Sequence, residues 1–142
     1  PGYCEIQLNI WRAFHPPIEV RLINRKSEAM AHMTATYNIQ GKERKGNSSP
    51  RIIEREINKQ VFLQLYSQAS NLGLENMFIS DSAGGDDGSS WKLSIRKMGN
   101  SISLSVWTPT HDTKKRNLCD FLEIGDSMLK LSGIEIPGNE YY

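Results

Sequence analysis

The chain reads as an α+β protein: a mostly antiparallel sheet of about five strands packed by two helices, in the order β-β-β-α-β-β-α. Three observations lead there. Apolar and polar residues alternate in three runs before residue 41 and in two runs after residue 90. Between and after those runs the apolar spacing changes to three and four residues. Short polar connections rich in Gly, Asn, Ser and Pro separate the segments.

In the first run Cys4, Ile6, Leu8 and Ile10 share one face, with Glu5, Gln7 and Asn9 between them. Trp11 and Phe14 add apolar content before His15-Pro16-Pro17 breaks the pattern. Ile18, Val20 and Leu22 form the next strand face, with Glu19 and Arg21 opposite. Ala31, Met33, Ala35, Tyr37 and Ile39 line the third, which is expected to run to Gln40. Gly41 to Pro50 is a polar, basic loop.

The first helix is expected over Arg51 to Asn71, on the stripe Ile53, Ile57, Val61, Leu65, Ala69 and Leu72. Ser49-Pro50 is a credible start and Gly73 a stop, with the alternative that Arg51–Ile53 is extended before the helix begins. A hairpin follows. Trp91, Leu93 and Ile95 face Ile102, Leu104 and Val106 across a turn at Lys97-Met98-Gly99-Asn100, and Thr108-Pro109 ends it. A second helix runs from about Leu118 to Leu131, with Asn117 as its cap, Asp120 in its first turn and Gly133 as its stop.

The 142 residues fit one domain, spanning 1–142, with an apolar fraction of 38% and a charged fraction of 23%. A net charge of +1 argues against a nucleic-acid binder, which carries a stronger basic excess or a concentrated stripe. The charge is uneven: residues 1–60 hold 10 Lys/Arg against 6 Asp/Glu, whereas residues 61–142 hold 7 against 10. An acidic face of this kind steers a basic partner. No apolar stretch is long enough for a transmembrane helix. Cys4 and Cys119 have no companions at metal-ligand spacing. They read as two buried free thiols or as one long-range disulfide in an exported protein.

Asp81, Asp86 and Asp87 cluster in a glycine-rich segment ahead of Trp91. An EF-hand is excluded, because Ala83 and Gly85 stand where oxygen donors are needed and Lys92 replaces the final acid. A solvated turn, another calcium loop and an acidic recognition loop remain as readings. Trp91 is in phase with Leu93 and Ile95 and belongs to the core. Trp107 is out of phase, which places it on the outer face as a candidate binding anchor or against the Thr108-Pro109 turn. His111 is followed directly by Asp112, a pair that a hydrolase would have to bring into a pocket with a nucleophile or metal. No nucleophile elbow, phosphate loop or metal motif accompanies them, so no catalytic, cofactor-binding or metal residue is assigned and no cofactor is expected. Lys42–Lys45 and Lys114-Lys115-Arg116 read as solvated basic loops.

The run Phe14-His15-Pro16-Pro17-Ile18-Glu19-Val20-Arg21, followed by Asp87-Gly88-Ser89-Ser90-Trp91, Trp107-Thr108-Pro109 and Leu129-Lys130-Leu131-Ser132-Gly133, resembles small bacterial proteins of poorly characterised families. Some proteins of this size and organisation are immunity proteins against toxins delivered between bacteria. The resemblance implies a toxin-neutralising protein that acts by direct binding to a cognate toxin, and the acidic loop implies a basic surface on that partner. Asp81, Asp86, Asp87, Trp107 and His111 are the candidate contact residues. The compartment is left open, with the bacterial cytoplasm slightly favoured over the periplasm. The alternatives are a small hydrolase with a His/Asp pocket and an accessory protein that associates with itself as a homo-oligomer.

Overall fold

A computed structural model describes residues 3–13, 16–37, 51–74 and 88–134. Among these residues, six strands form one antiparallel sheet. They are β1 (Tyr3–Arg12), β2 (Ile18–Arg25), β3 (Ala31–Tyr37), β4 (Arg51–Ile57), β5 (Ser89–Lys97) and β6 (Asn100–Trp107), in spatial order β4-β3-β2-β1-β5-β6. Two helices, α1 (Lys59–Asn71) and α2 (Cys119–Ser132), cover one face. The α+β class, the mostly antiparallel sheet and the two helices follow the sequence expectation.

The strand count does not, and the reason lies at residues 51–57. The expected helix from Arg51 is replaced by β4, which pairs with β3 from Ala31↔Ile57 to Tyr37↔Arg51. Ile53 and Ile57 are four residues apart, a spacing that satisfies period two as well as period 3.6. Pairing with β3 resolves the ambiguity in favour of the strand. The alternating charges Arg51, Glu54, Arg55 and Glu56 suit an edge strand, because they discourage further pairing. The helix start moves accordingly from Ser49-Pro50 to Asn58, whose side chain accepts the Gln60 amide at 2.8 Å. Its stop stays where expected, with Gly73 at φ +60° just past the Leu72 cap.

Inward residues of every strand meet the helices in one core. Ile6, Leu8, Ile10, Val20, Leu22, Met33, Ala35, Trp91 and Leu93 are all buried, and Phe62, Phe121, Ile124 and Met128 close over them from the helices. Trp91 is fully buried, and its indole N–H is satisfied by Ser89 Oγ at 3.0 Å. The β5–β6 hairpin closes through Met98 (φ 50°) and Gly99 (φ 86°) between the paired residues Lys97 and Asn100. Successive positive φ angles give the primed turn whose twist matches the two strands. Its apolar side is only partly covered: Val106 is buried, Leu104 half-buried and Ile102 exposed, because β6 is an edge strand.

The second helix ends as expected at Gly133, at φ 74°. Its start differs. Asn117 has φ 57° and does not cap; Leu118 takes the cap position, without a side-chain bond, and is fully buried. Burial of Leu118 thus sets the entry in place of a polar cap. Both cysteines carry free thiols, and neither is buried: Cys4 is half-buried and Cys119 exposed.

Candidate functional site

With both helices on one side, no helix of the described residues covers the opposite face of the sheet, and strand register arranges its side chains in rows. One row runs Ile23–Glu5–Arg96–Ser101, the next Arg21–Gln7–Ser94–Ser103 and the third Glu19–Asn9–Lys92–Ser105, on β2, β1, β5 and β6 in turn. A fourth row runs Trp11–Ser90–Trp107. Two tryptophans therefore stand on the same face, two strands or about 10 Å apart at the backbone. Trp11 is 47% exposed and Trp107 is half-buried.

The tryptophan end of the face is held by hydrogen bonds to backbone groups, two of them joining segments distant in sequence. The Ala13 amide donates to the Gly88 carbonyl at 3.0 Å, and the Arg12 guanidinium to the Pro16 carbonyl at 2.8 Å. The buried Thr108 accepts the Ser89 amide through Oγ1 at 3.1 Å. Gly88, at φ +139°, lies directly beneath Trp107: a Cβ there would fall 2.8 Å from the indole nitrogen and 2.5 Å from Thr108 Oγ1. No other residue fits at that approach.

Beyond β6 the chain bends through Thr108 (φ 35°), Asp112 (φ 49°) and Asn117 (φ 57°), conformations that are costly for residues with a Cβ. Arg116 holds the bend. Its guanidinium donates to the carbonyls of Trp107 (2.7 Å), Thr108 (2.8 Å) and His111 (2.9 Å). Thr113 Oγ1 adds a bond to the Pro109 carbonyl at 2.8 Å. The expectation that Lys114-Lys115-Arg116 is a solvated basic loop is corrected for Arg116, which is spent on backbone carbonyls. The result is a fixed platform on which the His111 ring meets Trp107 edge-on, with centroids 6.4 Å apart.

Farther along the same sheet face lies an ion-pair network. Glu5 is 2% exposed despite facing outward. Arg21 reaches over it, with Nε 2.6 Å from Oε1 and Nη2 3.1 Å from Oε2, and the Tyr3 hydroxyl donates to Oε2 as well. Burial alone would favour the neutral acid. The bonds from Arg21 and Tyr3, with the charges of Arg21 and Arg96, outweigh it and hold the carboxyl below the usual glutamate range. Arg25 lies over the Tyr3 ring at 5.9 Å.

Of the candidate contact residues, Trp107 and His111 are brought together by the fold. Asp81, Asp86 and Asp87 lie outside the described residues, although Gly88, the neighbour of Asp87 in sequence, is fixed beneath Trp107. His111 Nε2 is 3.4 Å from Asp112 Oδ2, and both side chains stand more than half exposed, at 63% and 57%. That is a solvent-screened surface pair. Trp11 was not among the candidates. Its signal was present in its phase, which it shares with Glu5, Gln7 and Asn9 and not with the core residues Ile6, Leu8 and Ile10. Among the described residues, no helix is long and apolar enough to cross a membrane. No protein-family model and no curated protein matches the chain.

Proposed function

We propose that this protein acts by binding another protein, and that its specific role is to neutralise a cognate toxin by direct contact. The observation that carries the reading is the row Trp11–Ser90–Trp107 with His111 at its end, aromatic side chains on a braced sheet face that no helix of the described residues covers. Tryptophan dominates binding energy where it can be desolvated by a partner, and a pre-ordered surface loses little entropy on docking. The Arg116 clamp and the Gly88 seat supply that order without a partner. Asp86 and Asp87, adjoining this end in sequence, complement a basic partner surface.

Co-purification with the product of the neighbouring gene tests the proposal. A stoichiometric complex is expected, together with protection of cells from that product's toxicity. Replacing Trp11 and Trp107 by Ala is expected to weaken the complex at least tenfold each, and D86N/D87N to slow association in low salt. Absence of both complex and protection rejects the role. A complex indifferent to both tryptophans rejects the assigned face.

A further inference from the structure

The same sheet face holds a second feature, a concavity of 130 Å3 over β1, β5 and β6, beyond the tryptophan row. Its walls include Gln7, Asn9, Lys92, Ser94, Arg96 and Ser103, and its floor reaches Glu5. All come from the outward positions of the three polar rows, so rigid strand pairing and not a loop fixes their relative places.

The charge balance decides what such a hollow accepts. Among the described residues Glu5 is the one carboxylate in its lining, and both its oxygens already receive bonds from Arg21 and Tyr3. A metal cation would therefore compete with a guanidinium for its only anionic ligand. Lys92 and Arg96 bring two positive charges to the same walls, on one face of β5 and about 13 Å apart along it. With Glu19, the next carboxylate along the Asn9 row, the face over β2, β1 and β5 still holds Arg21, Lys92 and Arg96 against Glu5 and Glu19. Around the two cations stand groups that donate neutral hydrogen bonds: the Ser94 and Ser103 hydroxyls and the side-chain amides of Gln7 and Asn9. Those amides face each other at 3.4 Å, a contact that leaves N–H donors over.

We infer that this hollow is an oxyanion site, in which Lys92 and Arg96 supply charge and Ser94, Ser103 and Asn9 supply hydrogen bonds to a phosphate or sulfate group. A tetrahedral oxyanion presents oxygens in several directions at once, which matches donors arriving from three neighbouring strands. A guanidinium and an ammonium together offer the charge-assisted bonds that such oxygens favour. The site is independent of the tryptophan row and of the protein partner proposed above.

The test is a titration of the whole isotope-labelled protein with inorganic phosphate, sulfate and glycerol 2-phosphate, followed by amide NMR shifts at constant ionic strength. Saturable shifts are expected in residues 92–96 and 101–105, with acetate binding more weakly than phosphate. K92Q/R96Q is expected to weaken phosphate binding at least tenfold. Lys92→Gln alone, which leaves the neighbours of Glu5 in place, is expected to weaken it severalfold in a protein of unchanged melting temperature. Tighter binding of glycerol 2-phosphate than of phosphate assigns an ester-bearing ligand; the reverse order assigns the free ion. Unsaturable shifts, shifts confined to Lys114 and Lys115, or equal affinity in K92Q/R96Q each overturn the assignment.

Discussion

Gly125 of α2 sits directly against the ring of Trp91: a Cβ added to it would lie 2.8 Å from Cζ3 and 3.0 Å from Cε3. The glycine lets the helix backbone approach the largest fully buried side chain. Gly125→Ala sets two effects against each other. Helix propensity favours Ala by about 1 kcal/mol. Overpacking a rigid core costs about 1–3 kcal/mol, and Trp91 is fully buried with its N–H tied to Ser89. The expected outcome is a net loss of stability, read as a lower urea midpoint with an unchanged slope.

Arg116 binds three carbonyls of the bend that carries Trp107 and His111. Arg116→Gln is expected to cost about 1–3 kcal/mol, since a planar fork of donors is replaced by a shorter amide. The loss should be local. Faster amide exchange is expected in residues 107–118, with β1 to β3 unaffected. Uniform exchange across the chain would contradict the clamp.

The Glu5–Arg21–Tyr3 network predicts an acid limb. The carboxyl titrates lower folded than unfolded, so its contribution is present above the usual glutamate range and is lost as pH falls through the folded value. Chemical denaturation between about pH 6 and pH 3 should show stability falling. In Glu5→Gln the neutral-pH stability is expected to be lower and the decline shallower.

Asp126 of α2 has the opposite sign. Burial pushes its carboxyl up, and Lys130 only partly offsets that. A group titrating higher in the folded state favours folding below its unfolded value and opposes it as pH rises through the folded value. Asp126→Asn is therefore expected to raise the melting temperature at pH 7 and to leave it nearly unchanged near pH 3. A lower melting temperature at pH 7 would contradict this.

Much of this molecule is legible from local pattern. Alternation at Ile6, Leu8 and Ile10, at Ile18, Val20 and Leu22, and at Trp91 and Leu93 identifies strands and their buried sides, because period two has one geometric meaning in a half-covered sheet. The turn at Met98-Gly99 and the stop at Gly133 are equally local, since each rests on the cost of positive φ. Ile53 and Ile57 were ambiguous for the same reason that the others were clear: a four-residue spacing belongs to both periods, and only the partner strand β3 selects one.

By itself, then, the sequence determined the α+β class, most strand faces and the placing of Trp91 in the core, and left Trp107 between the outer face and the Thr108-Pro109 turn. Tertiary structure alone decided that Trp11 and Trp107 share a row, that Arg116 serves carbonyls and not solvent, and that Lys92 and Arg96 overlook a carboxylate already neutralised by Arg21. Local pattern reports which side of an element is buried, because burial follows the repeat of the backbone. Which outward residues meet depends on strand order and register, and those are set by pairings between segments up to about a hundred residues apart.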